Sequence, residues 1–209
     1  MVKVAAESPA ERRARELGGT AGNEILTSAT ALVLTLLLIA EGITILRIGG
    51  LRTEHMFIGM ALIPPVLLKL GSTGYRFTRY YIGTRAYREK GPPLLPLRLL
   101  APLLVLTTAI VFASGVALLL AGHKSNTLFT FHKVSFILWG ALFGVHFLAH
   151  LQRMLRSLGG DWTREGRRRV PGAELRLGLV IAATGGGVAL AIAVLPLITG
   201  WHPGQHGDG

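Results

Sequence analysis

The chain has 209 residues, of which 50% are hydrophobic and only 16% are charged, and its mean hydropathy is +0.49. The apolar residues are grouped in long stretches with almost no charge, whereas a water-soluble domain needs polar residues on its outward faces. The composition therefore excludes a soluble enzyme. Cysteine is absent, which excludes disulfides, thiolate-held iron–sulfur clusters and covalently attached c-type haem.

Five stretches are predicted to cross a membrane as helices, because each approaches or exceeds the ~20 apolar residues that the hydrocarbon core requires. They cover residues 25–46, 55–71, 99–121, 128–151 and 177–200. The second is short and contains Pro64-Pro65, so we expect a kink there. A polar tail, residues 1–24, precedes the five-helix domain of residues 25–200, and residues 201–209 follow it. The fold class predicted is an all-α polytopic membrane protein.

Basic residues indicate the orientation of the spans. Lys and Arg number four in the N-terminal tail, six between spans two and three, and seven between spans four and five, against three on the other side. By the positive-inside rule the N-terminus is cytoplasmic and the C-terminus lies outside, in an integral protein of the cell membrane. Membrane lipid, rather than nucleic acid, is the expected partner of this charge. Residues 75–93 interleave Tyr with Arg, and we expect them to form an interfacial loop.

Ionisable residues inside membrane spans are costly and usually functional. Two histidines, His55 and His132, begin spans two and four, which both run inward. They are therefore expected at equal depth near the outer face, on different helices, as two axial ligands of one haem iron must be. Gly59, one turn after His55, leaves room for a flat macrocycle.

Span four carries further histidines and aromatic rings on one stripe. His146 lies about 21 Å deeper than His132 at 1.5 Å per residue, and His150 lies one turn beyond it. Packing against the cofactor is expected from Phe136 and Trp139, with Phe143 on the same stripe. In span five, Ala183, Gly187 and Ala191 form a ladder of small residues that favours close helix packing.

With His132-x13-His146 on one helix, the chain resembles membrane-embedded b-type cytochromes, the haem subunits of the cytochrome b561 and respiratory cytochrome b kind. The resemblance implies a four-helix haem-binding bundle, noncovalent haem b, and electron transfer between a partner redox subunit and the quinone pool. His55 matches the partner expected for His132. Lys69 stands where the partner of His146 should be, so we expect one haem b rather than two.

Other interpretations of these residues remain open. His55 and His132 could be interfacial histidines, His150 a residue of the inner rim, and Lys69 a lysine that reaches the headgroups. Glu41 could contact a quinone or take up its proton, or it could pair with Arg47 or Arg52. A small transporter or channel would also use buried charges and a proline-broken helix. A third interpretation is a haem-free membrane assembly subunit.

The orientation predicts the side of the C-terminus. An odd number of spans from a cytoplasmic N-terminus places Gly209 outside, so a reporter that works only in the cytoplasm should be silent when fused there. The same reporter fused after residue 90 should be active and serves as the control. Strong activity after Gly209 would mean that a span has been miscounted.

Overall fold

The computed structural model describes residues 18–82, 85–89, 95–121, 126–157 and 170–201. Within these ranges every regular element is a helix and there is no strand. The helices, in chain order, are α1 Gly19–Leu46, α2 Arg52–Tyr81, α3 Arg85–Glu89, α4 Leu95–Ala121, α5 Asn126–Ser157, α6 Ala173–Ala193 and α7 Leu195–Thr199.

Five of the helices, α1, α2, α4, α5 and α6, are long and apolar enough to cross a membrane, which confirms the number predicted. Large apolar side chains on them face outward: Leu36 is 60% exposed, Ile137 60% and Ile181 70%. Exposure on this scale would be unfavourable in water and is expected where lipid is the solvent. The chain is therefore a membrane-embedded helical protein.

Helix α2 differs from its predicted extent of 55–71. It is 30 residues long and continues without a break through Pro64 and Pro65. Pro65 is fully buried, and prolines are tolerated in membrane helices whose neighbours surround the altered backbone. The helix also runs on to Tyr81, so the first seven residues of the expected loop 75–93 are helical. A hydropathy window measures apolar length, whereas a helix with Arg and Tyr near its end extends into the interface.

The predicted fifth span, 177–200, is two helices in the structure. Helix α6 begins earlier, at Ala173, and ends at Ala193, and a turn at Val194 separates it from α7. Pro196 lies in the first turn of α7, where its missing N–H costs no hydrogen bond. Of the two predicted tails, residues 1–17 and 202–209 lie outside the described residues.

The long helices pack as two groups. Helix α2 contacts both α1 and α6 extensively, and these three form one group, which we call the trio. Helices α4 and α5 pack on each other as a pair. Contacts between the trio and the pair are much fewer, so space remains between them.

Gly187 sets the distance between α2 and α6. A Cβ atom placed on it would collide with the backbone carbonyl of Ala61 on α2. Ala191, one turn further along α6, is fully buried. The small-residue ladder predicted in this span therefore lies where α6 approaches α2 closely, because no side chain separates the two backbones at Gly187.

Substituting Gly187 tests this contact. Gly187→Ala should lower the thermal unfolding temperature of the purified protein in detergent, because the added methyl meets backbone that cannot rotate away. Overpacking of this kind costs roughly 1–3 kcal/mol. Gly186→Ala is the matched control, since a Cβ there meets nothing within 4 Å. Equal unfolding temperatures for the two variants would contradict the close approach.

Candidate functional site

A large cavity of about 1430 Å³ lies between the trio and the pair. Its walls come from α1, α2, α4 and α5, and they are mostly apolar. Ordinary small-molecule pockets measure roughly 300–1,000 Å³, so the cavity is large enough for a cofactor together with a second ligand. It is lined by the candidate site residues Glu41, His55, Gly59, Lys69, His132, Phe136, Trp139, His146 and His150.

His55 and His132 come together at one end of this cavity, which we call the His55 end. It is formed where α1 and α4 finish and where α2 and α5 begin. The ring centres of the two histidines are 6.5 Å apart, and the ring planes are inclined by 69°. The sequence predicts that His55 and His132 lie at equal depth on two helices. In the structure their rings are also close together.

The Nδ1 atom of His55 is held by α1. Glu41 Oε1 lies 2.9 Å from it, and Thr44 Oγ1 lies 3.3 Å from the same nitrogen. Because an ionised carboxylate can only accept, the proton of the imidazole is on Nδ1 and the Nε2 atom is free to bind a metal. Among the described residues Glu41 pairs with this histidine, and not with Arg47 or Arg52.

The Nδ1 atom of His132 is held in a similar way by α4. Ser114 Oγ lies 2.9 Å from it, and the same hydroxyl donates to the Val111 carbonyl oxygen at 3.0 Å. Since the single hydroxyl proton is used on Val111, the Ser114 oxygen accepts from His132 Nδ1–H. Both histidines thus keep Nε2 available.

Two glycines leave helix backbone uncovered near the histidines: Gly115 beside His132, and Gly59 beside Glu41, the partner of His55. A Cβ atom on Gly115 would lie 3.2 Å from His132 Cε1, so the ring rests against bare α4 backbone. A Cβ on Gly59 would lie 3.6 Å from Glu41 Oε1. The sequence identifies Gly59 by its position after His55, but it does not identify Gly115.

Aromatic rings of α5 form a continuous wall along the cavity. Trp139 stacks on Phe143 with ring centres 4.9 Å apart, and Phe143 stacks on Phe147 at 5.7 Å. Phe136 lies 5.8 Å from Trp139. The indole nitrogen of Trp139 donates to Thr108 Oγ1 of α4 at 2.9 Å, which fixes the ring. The wall offers flat apolar surface from the His55 end toward the other end.

The opposite end of the cavity holds the remaining ionisable candidates. His146 and His150 stack on each other at 4.4 Å, and His150 Nδ1 lies 3.0 Å from the His146 carbonyl oxygen. The ammonium of Lys69 donates to the Thr27 carbonyl oxygen at 2.8 Å. The His146 Nδ1 atom is buried, and no described residue gives it a hydrogen bond.

No facing histidine accompanies His146 and His150 in the part of the chain that the structure describes, since His55 and His132 are together at the other end. Two histidines of one helix that stack on each other cannot reach opposite sides of one macrocycle. The arrangement at this end differs from a bis-histidine pair.

No family model, curated protein or solved structure matches the chain.

Thr108 and Phe147 of the aromatic wall were not predicted from the sequence, and neither were three residues beside His55 and His132: Thr44, Ser114 and Gly115. Each of these three is small and occurs in an apolar span, where hydroxyl residues usually bond to the preceding turn of their own helix. The position of Ser114 could have indicated its role: it lies seven residues before the end of span three, and therefore near the depth of His132.

Proposed function

We propose that this protein is a b-type cytochrome membrane subunit, in which His55 and His132 bind one haem b and the bundle transfers electrons between a partner redox protein and quinone. The single observation that carries the proposal is the separation of the two imidazoles, 6.5 Å between ring centres. A metal–imidazole bond is about 2 Å long and a ring nitrogen lies about 1 Å from the ring centre. The two imidazoles would therefore be close enough to hold one metal ion between them.

The surroundings of the two histidines also suit haem. Glu41 and Ser114 hold the Nδ1 atoms and so direct Nε2 to the metal, as outer partners of metal-bound histidines commonly do. The cavity is apolar, with flat rings and exposed glycine backbone along its walls. The site is less suitable for a metal ion without a macrocycle, because no three His, Cys, Asp or Glu residues form a metal-binding group within the described ranges.

The residues of the chain would do the work of a protein scaffold in electron transfer. Bound haem b supplies a one-electron redox centre. His55 and His132 hold it between the trio and the pair, the aromatic wall excludes water, and the low dielectric of the membrane sets its energetics.

Histidine variants test the ligand assignment. His55→Ala and His132→Ala should each abolish the low-spin b-type absorption of the purified protein, because both imidazoles would be needed to hold a low-spin haem. His146→Ala and His150→Ala are the matched controls and should keep most of it. A reduced-minus-oxidised spectrum and a pyridine haemochrome assay measure the result. Two haems per chain, with one lost in His146→Ala, would overturn the one-haem assignment.

The opposite end of the cavity is the place we propose for quinone. A quinone ring fits against the aromatic wall, and its carbonyl oxygens accept hydrogen bonds. A donor is available there in Lys69, which has N–H groups beyond the one bonded to Thr27. The His146 ring also lines the cavity. Lys69 lies about 21 Å along α2 from His55 at 1.5 Å per residue, so the quinone would occupy a separate part of the same cavity.

A lysine variant tests the quinone site. Lys69→Met keeps the apolar stem and removes the charged donor, so the KM for a short-chain naphthoquinol that reduces the haem should rise. Loss of a hydrogen bond to a charged group costs roughly 1.5–3 kcal/mol, or about 10- to 100-fold. Haem content should not change. Lys133→Met, on the exposed side of α5, is the control. An unchanged KM in Lys69→Met would exclude this site.

Contacts in the bundle give the transporter interpretation less support than the sequence alone gives it. Its buried charges, Glu41 and Lys69, both have specific partners in the bundle, and the helix with Pro64-Pro65 is continuous. A purified protein with no b-type spectrum would favour this interpretation, or that of a haem-free assembly subunit.

A further inference from the structure

We propose that Glu41 is a positioning residue that fixes His55 through Nδ1 and, by its negative charge, lowers the reduction potential of the haem held at that site. The inference rests on the proposed haem site and adds a property to it: the two axial ligands differ, one being held by a charged acceptor and the other by a neutral one.

The contact between Glu41 and His55 is short and enclosed. Glu41 is only 8% exposed, and its Oε1 atom lies 2.9 Å from His55 Nδ1. Thr44 lies beside this contact: its hydroxyl donates to the backbone carbonyl oxygen of Glu41 at 2.7 Å and is 3.3 Å from Glu41 Oε2. The orientation of the carboxylate is set by the contact of its other oxygen with the imidazole.

Neighbouring cations do not neutralise this carboxylate. His55 is the ionisable partner that Glu41 contacts among the described residues. Arg52, the nearest basic residue along α2, lies over the ring of Trp201, 5.3 Å from its centre. Arg47 is exposed at the end of α1. The charge of Glu41 therefore acts on the imidazole with little screening, since buried charges interact more strongly than exposed ones.

A carboxylate on Nδ1 makes an imidazole a stronger electron donor to the metal at Nε2. The oxidised, more positive iron gains more from such a ligand than the reduced iron, so the potential falls. Ser114 accepts from His132 without a charge, so its effect is expected to be smaller. The asymmetry identifies Glu41, rather than Ser114, as the residue that sets the potential.

The experiment is a redox titration of the purified, haem-containing protein. In Glu41→Gln the amide oxygen can still accept from Nδ1, so haem content and the low-spin spectrum should be retained while the charge is lost. At a fixed ambient potential the ratio of reduced to oxidised haem should rise at least tenfold, which for one electron is a shift of about 59 mV. The low-spin electron paramagnetic resonance signal should also shift.

Two controls isolate the charge at this position. Glu54→Gln removes a carboxylate adjacent in sequence to His55 but exposed on α2, and it should leave the potential unchanged. Ser114→Ala should change it less than Glu41→Gln. A Glu41→Gln protein with full haem content and the wild-type potential would overturn the inference while leaving the haem site intact.

Loss of haem in Glu41→Gln is also interpretable. Glu41→Asp, which keeps the charge, then decides: haem restored with a potential near that of the wild type supports the inference, and no restoration overturns it. A wild-type protein without any b-type spectrum would remove the proposed function itself, and that result is distinct from an unchanged potential in a haem-containing variant.

Discussion

The close approach of α2 and α6 at Gly187 is the constraint on which the rest of the bundle depends. Between helices in lipid there is no hydrophobic force, because the surrounding chains are as apolar as leucine, so association relies on close packing of backbones. At Gly187 the α6 backbone reaches the Ala61 carbonyl. Since α2 also packs along α1, it is held between two neighbours, and it carries both His55 and Lys69 at fixed positions.

The cavity results from unequal packing, since the helices pack closely within the trio and within the pair but less between them. Helices α4 and α5 bind each other through Trp139 and Thr108, and they meet the trio over a much smaller area. A bundle of five apolar helices in a membrane would normally close such space. The aromatic wall of α5 and the glycine surfaces beside the histidines line this space.

Hydropathy and charge were sufficient to predict five membrane helices, and the depth of each histidine could be calculated from its helix position. The same reasoning paired His55 with His132. It did not yield the contact of Glu41 with His55, because residue spacing gives depth along a helix and not the rotation of one helix about its axis relative to another. That rotation is set by packing, and at α1 it directs Glu41 toward His55 on α2.

The order of the helices along the chain has a consequence for biosynthesis. Helix α6 packs on α2, yet it leaves the ribosome after α4 and α5 have been made. Until it arrives, the face of α2 around Ala61 can contact only lipid or the membrane insertion machinery. The trio is thus completed after the pair, and α2 gains α6 as a neighbour only once both helices of the pair have been made.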